Sequence, residues 1–379
     1  MNLKIDILDD ISSVSGDSWN NLGAAPYPFL KYEFLSALEK HNCLGSKWGW
    51  LPQHIVIHDS DDKLIAAAPL YIKFNSYGEF VFDWSWAEAY QRNGLVYYPK
   101  MVSASPYTPA TGPKLLLSKD ATNSCKGLLI DAAKKVAKKN NCSSIHWLFT
   151  TNDEMEIFSK RGFLRRTGCQ FHWKNKNYKT FDDFLRTLSS SKRKQINRER
   201  RRVREAGIQF DIINGETAND DDWEDFHKLY ESTFEKKGGM PTLSLAFFKK
   251  IALKIPKEVL LIKALYKGKL VAAAFNLVGN KTLYGRHWGC CEEFHSLHFE
   301  ACYYQGLKYC IDNGLESFEP GAQGEHKISR GFLPTPTWSY HWMENAFFHN
   351  NIGKYLEDEH EGMIDYMQEL HKHSPYKEL

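Results

Sequence analysis

Two short stretches of this sequence hold most of the side chains able to move a proton or to hold an anion. One reads Tyr284-Gly285-Arg286-His287-Trp288-Gly289; the other runs from Ser317 through Glu319-Pro320-Gly321 to Glu325-His326-Lys327. Glu319, Glu325 and His326 are candidate bases. Arg286, His287 and Lys327 are candidate stabilisers of a developing anion or anchors for a charged group. Trp288 and Gln323 stand beside them as substrate contacts, and Glu300, between the two stretches, is a candidate for the same cleft. Any one of these residues is compatible with a structural role; their clustering is what points to a site.

A third stretch is basic. Eight of the thirteen residues from Lys192 to Arg204 are Lys or Arg. The serines Ser189 to Ser191 read as a helix N-cap and Gly207 as a stop, so the run is expected to be a helix over 190–206. Ile196 and Val203, seven apart, give it a thin apolar seam. A solvated charged face is the plain reading. So much like charge on one helix also calls for a compensating anion, and Lys192, Arg193, Arg200 and Arg201 are the expected phosphate contacts. A fourth stretch, 76–113, crowds Asp83, Trp84, Trp86, Tyr90, Tyr97, Tyr98 and Lys100 together. It is either a loop packing its own aromatics or the wall of an acceptor pocket, with Asp83, Trp86, Tyr90, Tyr98 and Lys100 as contacts.

The elements that must carry these residues come from a duplication. Lys63-Leu64-Ile65-Ala66-Ala67-Ala68 recurs as Lys269-Leu270-Val271-Ala272-Ala273-Ala274, and each copy follows a β-rich run and a turn, which predicts a hairpin twice. Arg161-Gly162-Phe163-Leu164 recurs as Arg330-Gly331-Phe332-Leu333. Between these landmarks each half carries an amphipathic helix (about 124–139 and 297–313) and then a strand (144–149 and 315–319). The landmarks lie 98 positions apart in the first half and 61 in the second, so the first half holds 37 extra positions, which fall in the aromatic stretch. The last segment, about 347–373, has apolar residues at helical spacing and is expected to be a packing helix.

Composition sets bounds. At 379 residues, with 42% hydrophobic and 25% charged side chains, the chain has room for two cores of ordinary size. The net charge of +3 excludes a general polyanion binder, so any basic surface is local. The eight cysteines form no CxxC pair, and no His spacing matches a metal site, so neither a disulfide framework nor a metal is expected. No apolar run reaches the ~18 residues of a membrane span. A cytoplasmic location is the expectation.

The order hairpin, strand, helix, strand, short helix, Gly-Phe, strand resembles the layout of the GNAT acyltransferases. It implies an α+β fold of tandem GNAT-like domains with mixed sheets, at 1–172 and 173–379. In such a sheet neighbouring central strands splay where segments 284–289 and 317–327 lie, and transfer of an acyl group to an amine needs a proton acceptor, an oxyanion donor and anchors there. No Ser or Cys sits in a nucleophile motif, so direct attack by the amine is expected.

The chain as a whole resembles the FemAB-like N-acyltransferases linked to peptidoglycan. The resemblance is carried by Pro28-Phe29-Leu30, Tyr77-Gly78-Glu79-Phe80-Val81-Phe82-Asp83-Trp84, Tyr97-Tyr98-Pro99-Lys100, Lys192-Arg193-Lys194, Tyr284-Gly285-Arg286, His298-Phe299-Glu300 and Glu319 to Lys327. More distantly it is similar to the Fem transferases, which take amino acids from aminoacyl-tRNA. The resemblance implies acyl-CoA or aminoacyl-tRNA as co-substrate, no tightly bound cofactor, and a small-molecule or peptidoglycan-precursor amine as acceptor, with tRNA as a further partner. Two features depart from these families. The coiled-coil arm of some Fem proteins is absent, and the GNAT pyrophosphate motif is incomplete, since Arg286-His287-Trp288-Gly289-Cys290-Cys291 ends in Cys. A non-catalytic module that recognises cell-wall fragments or tRNA is the alternative expectation.

Overall fold

The computed structural model describes residues 3–322 and 324–377. Gln323, expected as a substrate contact, lies outside the described residues. The chain divides into two compact units, one holding the residues up to Cys169 together with Pro336–Tyr366, the other Gln170–Thr335 with the residues from Met367 onward.

In the first unit, β1 (Lys4–Leu8), β2 (Trp50–Pro52), β3 (His54–His58), β4 (Leu64–Ala68), β5 (Tyr71–Lys73), β6 (Lys100–Ser103), β7 (Leu116–Leu117) and β8 (Ser144–Leu148) form two sheets. β1, β3, β4 and β7 make one, and β3–β4 is the expected hairpin, with Val56 opposite Ala67. β2, β5, β6 and β8 belong to the other, with β6 and β8 parallel. The helix Ser124–Lys139 buries Leu129, Ile130, Ala133, Val136 and Ala137 in one core with Ile55, Ile57, Ala66 and Trp147. At ~1.5–3 kcal/mol for each fully buried large aliphatic, this face outweighs a modest helix propensity. The extra positions of the first half are not a simple loop. They form a helix, Trp84–Arg92, and the sheet strand β6.

The strand after Gly162-Phe163, β9 (Leu164–Lys174), leads into the second unit. There β10 (Ile208–Asn214), β11 (Val259–Tyr266), β12 (Lys269–Val278) and β13 (Thr282–Cys290) run antiparallel in order, with β11–β12 the second expected hairpin. β14 (Ser317–Glu319) joins β13 in parallel and is flanked by the end of β9, with Phe318 opposite Trp173. The strand after Gly331-Phe332, β15 (Leu333–Met343), leads back to the first unit, where Ser339–Met343 pair with β8. Each half thus hands its closing strand to the other. The first break, between Cys169 and Gln170, falls close to 172, and the return of β15 is why 336–366 groups with the first unit and not with 173–335.

Glycine decides one contact here. A Cβ on Gly289 of β13 would lie 2.2 Å from the Leu229 carbonyl oxygen, so only glycine lets the helix Asp220–Lys236 approach this strand. The helix expected over 297–313 is three pieces, Leu297–Phe299, a π-helical Glu300–Tyr304 and Gln305–Asp312. Such π segments recur at functional sites. The basic run is the helix Ser190–Glu205, and Gly207 ends it with φ +80°, although Ser189 makes no side-chain cap hydrogen bond. The last helix, Ala346–Lys372, packs Phe348, Ile352 and Leu356 against Trp86, Tyr90 and Tyr97 in the first unit. Its Leu370 belongs to the core of the second.

Candidate active site

β13 and β14 pair as far as Tyr284 and Glu319 and no further. Beyond that point β13 carries a bulge: Asn276 faces Gly285 and Phe275 faces His287, which leaves Arg286 as the extra residue. A bulge re-aims the side chain it displaces and frees backbone groups from the ladder. The space that opens is a cavity of about 120 Å³, lined by Asn276, Arg286, Trp288, His298, Cys302 and Tyr303 among others, with Pro320 at its edge.

Its electrostatics follow from burial. Burial lowers the Arg286 guanidinium to about 10, partly offset by Tyr230 and by Glu319, the nearby carboxylate. Burial pushes His287 down to about 3, and Arg286 adds to the effect, so its ring is neutral among Tyr230, Phe248 and Phe275. His298 falls to about 4 through burial and the neighbouring His326, Lys237, Arg330 and Lys327. Its ring meets Trp288 edge-on at 5.4 Å. The Tyr303 hydroxyl and His326 Nε2 are 2.9 Å apart. Burial and the cations Arg330 and Lys327 keep His326 below the usual imidazole range. Lys327 is 2% exposed, donates from Nζ to the Gly321 carbonyl at 2.8 Å, and is lowered by burial to about 8.

The three candidate bases are placed differently. Glu319 ends the paired strand, and its Oε2 lies 4.0 Å from His172 Nε2, an imidazole that burial holds at about 3. His326 reaches the cavity through Tyr303. Glu325 is exposed at the start of the turn Glu325–Arg330. Glu300 departs from expectation: it is buried and faces the basic helix, where both its oxygens accept from Arg200 Nε at 3.2 Å and one accepts from Gln305 Nε2 at 2.7 Å. The displaced register of the π segment is what carries it to that side.

The basic helix lines a groove of about 810 Å³ with Lys194, Arg198, Arg200, Arg201 and Arg204. Lys194, Arg198, Arg201 and Arg204 share one face at helical spacing, about 15 Å long. Its inner face buries Ile196, Glu199 and Val203. Lys192 and Arg193, expected as phosphate contacts, are half-buried in the first turns and do not line the groove, whereas Arg200 and Arg201 do. Sequence reasoning missed Tyr303, His298, Lys194, Arg198 and Arg204. The period of the helix carried a signal for Lys194 and Arg198, which fall opposite Ile196 and Val203, and less for Arg204, which lies at the flank.

In the first unit, Asp83, Trp86, Tyr90 and Lys100, expected on a pocket wall, are interior instead. Lys100 Nζ donates to Ser76 and Glu79, each at 2.8 Å, and to Asp83. Trp86 and Tyr90 fill the core beneath the last helix. Burial opposes ionisation of both acids. It lifts Glu79 to about 7, while Lys100 and His146 overcome it at Asp83 and hold that carboxyl below its ordinary value. Tyr98 alone of the five is half-exposed, at the edge of a surface groove. Among the described residues no group of three or more His, Cys, Asp or Glu could hold a metal ion, and no helix is long and apolar enough to cross a membrane.

Several solved structures share this fold. FemX matches with a TM-score of 0.53 at 11% identity, covering 88% of this chain and 98% of that one. The C-terminal domain described as a lysylphosphatidylglycerol synthetase from Agrobacterium fabrum matches with 0.52 at 8%, covering 88% and 95%. A conserved protein from Bacteroides thetaiotaomicron matches with 0.51 at 9%, covering 89% and 99%. No curated protein sequence matches the chain. A FemAB-like family profile, described as peptidoglycan biosynthesis/recognition, covers residues 10–378. With a match over residues 10–378 and a mixed-sheet fold whose central strands part over a cavity that holds Arg286, the chain belongs to the FemAB-like family linked to peptidoglycan biosynthesis/recognition.

Proposed function

We propose that the second unit transfers a small acyl or aminoacyl group from a phosphate-bearing donor to an amine, with the donor's phosphates on the basic helix and its acyl carbon at the parting of β13 and β14. The observation that supports this most is the pairing of Tyr284 with Glu319 as the last rung before a cavity ringed by Arg286, Tyr303 and His298. The amine nitrogen attacks the acyl carbon, a C–N bond forms, and the donor's C–S or C–O bond breaks. Glu319 takes the ammonium proton. Arg286 steadies the charge that develops on the carbonyl oxygen, and Tyr303, backed by His326, returns a proton to the leaving sulfur or oxygen. Lys327 anchors a negative group.

For the donor, the geometry of the helix favours aminoacyl-tRNA over acyl-CoA. Four cations in a row of about 15 Å form a strip longer than one pyrophosphate and suited to tracking a nucleic-acid backbone. A peptidoglycan-precursor amine is the acceptor that fits the family. The experiment is a binding titration of the purified protein with aminoacylated and free tRNA, and with a panel of acyl-CoAs. Salt-sensitive binding of tRNA supports the reading. Tight binding of an acyl-CoA, with tRNA ignored, would replace the donor while leaving the site.

A further inference from the structure

The loop that leads into the helix Trp84–Arg92 is turned inside out. Its polar side chains point inward: Ser76, Glu79 and Asp83 are 5% exposed or less and all converge on the buried Lys100 ammonium. Its aromatic side chains point outward. Phe74 is 50% exposed, Tyr77 64%, Phe80 39%, Phe82 55% and Trp84 49%. A water-facing loop shows the reverse pattern. From Phe74 to Ala87 both charged residues are withdrawn into the interior, so that stretch presents no charge to the outside.

The arrangement is held rigidly. Lys73 Nζ donates to the Tyr77 carbonyl at 3.0 Å, the Tyr107 amide to the Gly78 carbonyl at 3.1 Å, and Arg166 Nη1 to the Phe82 carbonyl at 2.6 Å. Gly78, at φ +79°, lies so close to Tyr107 that a Cβ would sit 2.5 Å from its ring. Phe80 adopts φ +60°, a conformation that a bulky side chain avoids unless its surroundings impose it. Leu95 and Val96, 41% and 79% exposed, extend the apolar face along a groove of about 450 Å³ that begins at Trp84.

We propose that this face, Phe74 to Trp84 with Leu95 and Val96, docks into the interfacial layer of a lipid bilayer. The charge pattern selects that partner. Between Phe74 and Ala87 both ions are drawn back from a surface where a charge beside hydrocarbon would be costly, and the exposed Glu88 and Arg92 on the groove side of the face are paired with each other. Tyr77 and Trp84, packed edge-on at 5.3 Å, are the amphipathic rings suited to the headgroup level, with the three phenylalanines as the apolar wedge. The attraction is apolar and does not use the basic helix.

The test is flotation of the full-length protein with phosphatidylcholine vesicles, in low salt and again in 0.5 M salt (roughly a 4 Å screening length). Binding to these neutral vesicles that persists in high salt is expected, and it falls by about tenfold or more in Phe80→Asp/Phe82→Asp. Both substituted side chains are exposed, and circular dichroism checks that the variant stays folded. Three results overturn the proposal: no flotation with neutral vesicles, flotation unchanged in the double variant, or a dimer in solution that the double variant dissociates. The last would assign the face to a second copy of the chain. Because tRNA and acyl-CoA play no part in the measurement, its outcome is separate from that of the donor titration.

Discussion

Glu199, the one acid among the residues from Lys192 to Arg204, turns away from its cationic neighbours and accepts from Arg330 Nη2 at 2.8 Å beneath the basic helix. Its other oxygen accepts from the Tyr304 hydroxyl, and Gln195 Nε2 adds a bond at 3.0 Å. Arg330 in turn donates to the His326 carbonyl at 2.7 Å and lies 3.5 Å from the centre of the Phe299 ring. One buried ion pair therefore fastens the helix proposed to hold the donor to the turn that carries His326 and Lys327.

Breaking that pair from one side strands a buried charge. Arg330→Ala or Glu199→Ala is expected to cost about 3–5 kcal/mol in urea unfolding. The paired replacement Glu199→Met/Arg330→Met recovers most of the loss, because well-packed apolar side chains replace a buried pair at little net cost. Equal losses in the single and double variants would show that the apolar surroundings, and not the ion pair, hold the turn.

The groove face of the basic helix makes a quantitative prediction about salt. Lys194, Arg198, Arg201 and Arg204 changed together to Gln should lower the slope of log affinity for tRNA against log salt by about 3, at ~0.7–0.9 per phosphate lost. The same four changes should leave thermal stability nearly untouched, since all four side chains are exposed. A slope that stays the same would place the phosphates elsewhere. Lys192→Gln, outside the groove lining, should matter much less.

Among the candidate bases the placement ranks Glu319 first. Glu319→Gln should bind donor normally and lose about 10²–10⁴ in transfer rate, whereas Glu325→Gln, exposed at the turn, should transfer at close to the wild-type rate. Tyr303→Phe should slow leaving-group departure by a smaller factor. Unchanged transfer in Glu319→Gln would move the base to His326, whose contact with Tyr303 is already in place.

How much of this was legible in the sequence depended on whether a feature was local. The hairpins at 54–68 and 259–278 follow from apolar runs and turn residues that neighbour each other in the chain, and the helix over 124–139 from its own period. The exchange of β9 and β15 is not local. It pairs residues such as Ser339 and Leu148, almost two hundred positions apart, and no period records that choice. The site splits the same way. Arg286 and Glu319 could be assigned to one strand end because both close predicted strands. Tyr303 and Glu300 could not be sorted, because a π segment rotates them relative to an ordinary helix. Asp83 and Lys100 admit two places from the sequence, in a loop over its own aromatics or on a pocket wall, since hydrophobicity alone does not pair ions inside. Here the ions satisfy one another inside, and the aromatics beside them face out.

Lys327 offers a pH test of the site's burial. Its folded-state value, about 8, lies below the 10.5 of a free lysine, and burial is the main cause. Below pH 8 both folded and unfolded chains carry the proton, so the fold bears the full cost of an enclosed ammonium. Between about 8 and 10.5 the unfolded chain binds more protons than the folded one, so this group's contribution to stability rises with pH across that window. Lys327→Met removes the titration. It should stabilise the protein at pH 7 by about 2 kcal/mol, the cost of enclosing the charge less the lost bond to Gly321, and the advantage should shrink steadily above pH 8. If Lys327 anchors a negative donor group, donor affinity in the wild type should fall over the same window in which stability rises, since the proton that burdens the fold is the one that binds. Unfolding and donor titration at pH 7, 8, 9 and 10 measure both trends, and opposite slopes are the expected result. Parallel slopes, or a Met variant with the wild-type pH profile, would show that this ammonium is neither confined nor used as an anchor.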